Sequence, residues 1–255
     1  MRGFTNGQSW SERLSRVVAV AGLLALALAF GWYWTAARGG TSRPLADLLV
    51  PPVSPAGWSL EAAPVEPVAA FPLFGVAPAT ASAYREGARV VWQLAGQRQP
   101  EFEWLHVAVT LYRFADAKSA AAVADALATQ KAAELAADGL TEGKVVEVDG
   151  GGPPVFRRVL TGQKPDQLRG WSLVTYELAP EALPAAQGAI GAPVEVESLR
   201  AHELTLVLVS GETVASVSVH ANNRAVPVLR DLLGQVCDRL ALQRTVLDRV
   251  PLPAD

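Results

Sequence analysis

The sequence predicts an α+β protein: an N-terminal transmembrane helix followed by an antiparallel sheet with helices packed on one face. Three observations predict it. Short alternating apolar segments recur between residues 88 and 220, mostly with hairpin-length connections, the mark of antiparallel pairing. Two segments, one mid-chain and one near the end, carry helical character instead. Residues 17–37 form an uncharged apolar run unlike anything after it.

That run, Val17 to Ala37, is mostly Val, Ala and Leu. At a rise of about 1.5 Å per residue it makes roughly 31 Å of helix, enough to cross a hydrocarbon core of about 30 Å. Trp32, Tyr33 and Trp34 cluster at one end, where amphipathic rings settle at the membrane interface. Arg2, Arg13 and Arg16 oppose Glu12 before the run, which orients the N-terminus to the cytoplasm and the main domain outside it. The shorter aliphatic part, Val17–Phe30, also fits an export signal, with Thr35-Ala36-Ala37 as its cleavage site. The aromatic cluster and the long polar lead-in favour the retained anchor. The expected organisation is a cytoplasmic tail (1–16), a membrane helix (17–37), a linker (38–57), an extracytoplasmic domain (58–245) and a C-terminal tail (246–255).

The linker assignment rests on "RGGTSRPLADLLVPPVSPAG", rich in Pro and Gly. The domain is expected to open at Trp58, with an irregular wrapped segment over residues 61–82. "ARVVWQL" (88–94) and "EWLHVAVTLYRF" (103–114) read as a strand pair. A helix follows, with Asp116 as N-cap, an Ala-rich body and Gly139 as its stop. "KVVEVDGGG" and "PPVFRRVL" read as short strands around a Gly-rich turn, and "WSLVTYEL" (171–178) as another. The Ala/Pro/Gly stretch at 179–193 reads as a surface connection. A hairpin (203–209 and 213–220) turns at Ser210-Gly211-Glu212. Asn222-Asn223 is the expected cap of a last helix with Pro227 in its first turn. On that helix Val226, Leu229, Leu233, Val236, Cys237 and Leu240 share one face, which makes Cys237 a small core residue.

Composition excludes several function classes. The chain carries Lys+Arg 22 against Asp+Glu 25, a net charge of −3, so it has no basic footprint for nucleic acid. A single cysteine allows neither an internal disulfide nor a structural zinc site. His202-Glu203 lacks the second histidine of a zinc-protease helix, since residue 206 is Leu. "DGGGPP" (149–154) has two prolines where a phosphate cradle needs amide donors, and no Gly-x-Ser-x-Gly elbow is present. No catalytic residue, metal ligand or cofactor site is assigned.

The aromatic residues carry more information. In the strand 103–114, Leu105, Val107, Val109 and Leu111 alternate onto one face, while Trp104, His106 and Tyr112 take the other. The aliphatic face is core. Trp104, His106 and Tyr112 are the candidate surface for a partner or ligand, because Trp and Tyr favour interfaces.

"VAVTLYRFADAKSAAAVADAL" (107–127) and "LTLVLVSGETVASVSVHANNRAVPVLRDLLGQVCDRL" (204–240) resemble exported bacterial PsbP-like domains and the sensor-type domains of some bacterial Ser/Thr kinases. The shared pattern is a strand ending in an aromatic, a small-residue helix, and a Gly-turn hairpin feeding a last helix. The anchor, Pro-rich linker and "GW" are similar to exosortase-associated membrane-anchored proteins, without their Pro-Glu-Val-Cys segment. Both resemblances imply a fold and carry over no site residue. The expected function is a non-enzymatic, membrane-anchored binding or accessory subunit of an envelope complex with a protein partner. The alternative is an exported hydrolase whose site is assembled from dispersed residues.

Overall fold

A computed structural model describes residues 43–69, 78–98, 103–141, 145–146, 155–161, 168–176 and 200–250. Within them the chain forms α1 (Leu45–Leu48), β1 (Trp58–Ala62), β2 (Glu66–Pro67), α2 (Pro78–Ser82), β3 (Tyr84–Gly96), β4 (Trp104–Phe114) and α3 (Ala117–Ala137). There follow β5 (Val145–Val146), β6 (Val155–Thr161), β7 (Leu168–Tyr176), β8 (Ala201–Ser210), β9 (Thr213–Asn222), α4 (Val226–Arg239) and a 3-10 segment, Arg244–Arg249. The expected α+β class and antiparallel sheet are present. Residues 17–37, with Trp32, Tyr33 and Trp34, lie outside the described residues. Among those described, no helix is long and apolar enough to cross a membrane.

The nine strands form one sheet in the order β1-β3-β4-β9-β8-β7-β6-β5, with β2 also on β3. Every pairing is antiparallel. Pairing of β4 with β9, Leu105 opposite Ala221 through Arg113 opposite Thr213, joins the N-terminal strands to the C-terminal hairpin.

The helices do not share one face. Leu105, Val107, Val109 and Leu111 of β4 join Trp92, Leu204, Leu206, Val217 and Val219 in the main core, together with Leu229, Leu233, Val236 and Cys237 of α4. α3 lies on the opposite face, where Ala120, Val123, Ala124 and Ala128 pack with Tyr112, Phe114, Val207, Val209 and Val214. At this end of the sheet both faces are apolar, so alternation gives way and each needs a cover. The predicted one-sided packing is thus corrected to a helix on each face.

α3 starts where the sequence places it. The Asp116 carboxylate accepts from the Ser119 amide at 2.7 Å, a bond that holds its carboxyl below the usual range. At the far end Gly139, at φ +75°, donates to Ala136 C=O and Leu140 donates to Leu135 C=O. That pair of bonds is the Schellman termination, and Leu135 meets Leu140 in the small cluster that seals it.

Three other expectations change. Leu45 and Leu49 are each 1% exposed in the main core, so the Pro-rich segment from residue 44 is strapped down, although its composition reads as linker. Arg239 of α4 holds the strap by donating to the carbonyls of Val50 and Pro51, and its guanidinium lies 5.9 Å over the Trp92 ring. Val246, Leu247 and Val250 are also buried in that core, where a tail was expected. Finally, Ala225 is the N-cap of α4, and the Asn222 side chain accepts from the Trp104 amide instead.

Candidate functional site

α3 crosses its face obliquely. It packs at the Tyr112/Val214 end of β4 and β9 and reaches Val174 of β7 through Leu135. Among the described residues, the far end of β3, β4 and β9 therefore keeps an uncovered strip on this side. One row across it runs Gln93, His106, His220, Glu203 on β3, β4, β9 and β8, each opposite the next. Gln93, His106 and His220 are exposed, and Trp104, Ala108, Ser218, Glu203 and Thr205 around them are half-buried.

The direction of the backbone groups fixes the spacing within this row. On β4 the amides of Trp104 and Phe114 donate toward β9, to the Asn222 side chain and to Glu212 C=O, while the Glu103 carbonyl accepts from Gly96 on β3. Even-numbered residues of β4 thus direct their N–H and C=O at β9. His106 and His220 form a hydrogen-bonded pair, whose Cα atoms stand about 5.5 Å apart in such ladders. Gln93 with His106, and His220 with Glu203, are non-hydrogen-bonded pairs at about 4.5 Å.

The neighbours hold the strip in place. The Trp104 ring meets the His106 imidazole edge-on, with centroids 6.3 Å apart and planes at 89°. Glu203 accepts from the Tyr176 hydroxyl at 3.2 Å and faces Lys131 Nζ of α3 at 3.7 Å. Asn222 is 4% exposed, and its Nδ2 has no hydrogen-bond partner among the described residues.

Of the candidates read from the sequence, Trp104 and His106 come together on this strip. Tyr112 is on the same face but 8% exposed, packed in the α3 cluster, and burial pushes its phenol up. Its separation from the others follows from where α3 begins, three residues after Phe114. His220 and Gln93 were not singled out from the sequence, and Glu203 was weighed there only with His202. His220 and Glu203 belong to the β8–β9 hairpin, which meets β4 only through long-range pairing, and although β3 reads as the partner of β4, no local pattern gives the register that sets Gln93 opposite His106. The third histidine, His202, is on the opposite face, 4% exposed, with Nδ1 3.0 Å from Thr175 Oγ1.

A cleft under α3, lined by Ala128, Lys131, Ser172, Thr205 and Val207, holds about 10 Å³, room for about one water and far below the roughly 300 Å³ at which small-molecule pockets begin. A more open groove of about 480 Å³ lies along α4; of its lining charges, Arg230 pairs with Asp248 at 3.1 Å, Arg244 pairs with Asp238 beside the groove at 2.6 Å, and Asp231 accepts from the Gln235 amide at 3.1 Å. Among the described residues no group of three or more His, Cys, Asp or Glu is placed to hold a metal ion.

No protein-family model matches this sequence, and no curated protein matches it. Among solved structures it is similar to the extracellular domain of PknH from Mycobacterium tuberculosis, at 12% identity and a TM-score of 0.38, over 72% of this chain and 85% of that one.

Proposed function

We propose that this protein is a membrane-anchored binding or accessory subunit of an envelope complex, with its sheet domain outside the cytoplasm. In this reading residues 17–37 are the anchor, and the strip carrying Trp104, His106 and His220 takes a protein partner. The observation that carries it is the uneven cover of the sheet. One face is closed by α4, α1 and the 3-10 segment, whereas α3 leaves the other open where a Trp and two histidines stand. A flat strip with a half-buried aromatic at its edge suits a protein surface better than a small molecule, which needs enclosure.

The test is co-purification of the full-length protein from membranes. Trp104→Ala combined with His106→Ala should melt within about 1 kcal/mol of wild type, because both side chains are at least partly exposed. It should lose the partner, since truncating an aromatic anchor of a protein contact costs about 2 kcal/mol or more. A folded double variant that keeps the partner places docking elsewhere, and a wild-type chain extracted by carbonate removes the anchor.

A further inference from the structure

We propose that His106 and His220 form a two-imidazole site for a late first-row divalent ion such as Zn²⁺ or Cu²⁺. This goes beyond the docking role, since it needs no partner and rests on strand register alone. The two residues are Cα partners on neighbouring antiparallel strands, point to one face, and are both exposed. Directly opposed positions carry Cβ atoms about 4.5–5.5 Å apart, within reach of two imidazoles converging on one ion. Bonds of about 2.0–2.1 Å in a tetrahedral shell bring the two nitrogens to about 3.3 Å from each other.

The surroundings favour the same use. Neither imidazole has a hydrogen bond or ion pair among the described residues. The edge-on Trp104 ring restricts His106, which lowers the entropy lost when the imidazole is fixed. Glu203, beside His220, is engaged by Lys131 and Tyr176. Two protein ligands leave the other positions to water or to a group from outside. Imidazole donors select Zn²⁺, Cu²⁺ and Ni²⁺ over Mg²⁺ and Ca²⁺.

The experiment is titration of the untagged full-length protein with Zn²⁺ by calorimetry, and with Cu²⁺ by electron paramagnetic resonance. The expected result is one ion per chain, nitrogen hyperfine structure from two imidazoles, and quenching of part of the Trp emission that Trp104→Phe removes. His106→Gln and His220→Gln should each weaken uptake on the order of tenfold or more, while Mg²⁺ gives no heat. Both positions are exposed, so melting curves should stay unchanged and separate ligand loss from unfolding. Absence of stoichiometric uptake, or uptake that survives both substitutions, overturns the site. Because the readout uses the isolated chain, either result leaves partner docking to its own test.

Discussion

Two passages of the chain run strand-then-helix in the same order, β4 into α3 and β9 into α4, and they pair with each other at the centre of the sheet. Their helices nevertheless take opposite faces. α4 presents Leu229, Leu232, Leu233 and Val236 to the main core, whose strand side chains are mostly aliphatic with Trp92 and Trp171 among them. α3 presents Ala120, Ala124 and Ala128, small enough to bring its backbone close to Val207, Val209 and Val214. Large side chains spread the α4 contact broadly, and small ones confine the α3 contact to the track of the helix. The α4 side closes the core, whereas the α3 side leaves part of β3, β4 and β9 exposed, the strip on which the proposed docking rests.

Substitution in the two helices should break this comparison most sharply. Leu233 is 1% exposed, and Leu233→Ala should cost about 2–5 kcal/mol by opening a cavity. Ala124 is 0% exposed, and Ala124→Leu should cost about 1–3 kcal/mol by the opposite route, forcing α3 off the sheet. Urea midpoints at unchanged slope measure both. If Ala124→Leu were neutral, α3 would not be seated by its small residues, and the account of the open strip would fail with it.

The sequence carried the elements better than their arrangement. Asp116 and Gly139 bounded α3, and the apolar stripe of α4 predicted the burial of Cys237, because both signals are local. The face chosen by each helix was not legible, since Tyr112 and Val214 look like solvent-side positions until Ala120 and Ala124 are set over them. The strap misled through its prolines, which say nothing of where Leu45 and Leu49 insert. For the site, alternation within β4 gave Trp104 and His106, but the meeting with His220 depends on a pairing between distant strands.

Cys237 probes the closed side with a smaller effect. It is 1% exposed, and burial first, with Asp238 second, pushes its thiol up from 9.0 to about 11. The native protein should resist thiol reagents until it unfolds, and Cys237→Ser should cost about 1–3 kcal/mol for a poorly satisfied hydroxyl. The pH dependence has a definite sign. The folded state favours the neutral thiol, so its contribution is complete below pH 9 and is lost as the pH rises toward about 11. Melting temperature measured over that window should fall more steeply for wild type than for Cys237→Ala. Rapid labelling of the native chain at neutral pH would show that α4 does not close its face.

The smallest effect compares the two helix ends directly. α4 terminates as α3 does, with Ala241 donating to Asp238 C=O and Leu242 to Cys237 C=O, yet the left-handed position holds alanine at φ 54°. In α3 that position is Gly139, and a Cβ added there would meet nothing within 4 Å. Ala241 is exposed, so its methyl group contributes little packing. Both sites thus report backbone conformation with few side-chain terms. A left-handed L-residue costs roughly 1–2 kcal/mol. Alanine recovers about 0.4–1 kcal/mol of that by restricting the unfolded chain. Gly139→Ala should therefore destabilise by about 0.5–1 kcal/mol, and Ala241→Gly should stabilise by about the same. The double variant should return near wild type, because the two ends are far enough apart in the chain and on opposite faces to act additively. Equal and opposite shifts in the urea midpoint would establish one motif used twice; a loss on Ala241→Gly would mean that the end of α4 depends on its methyl group and not on the turn.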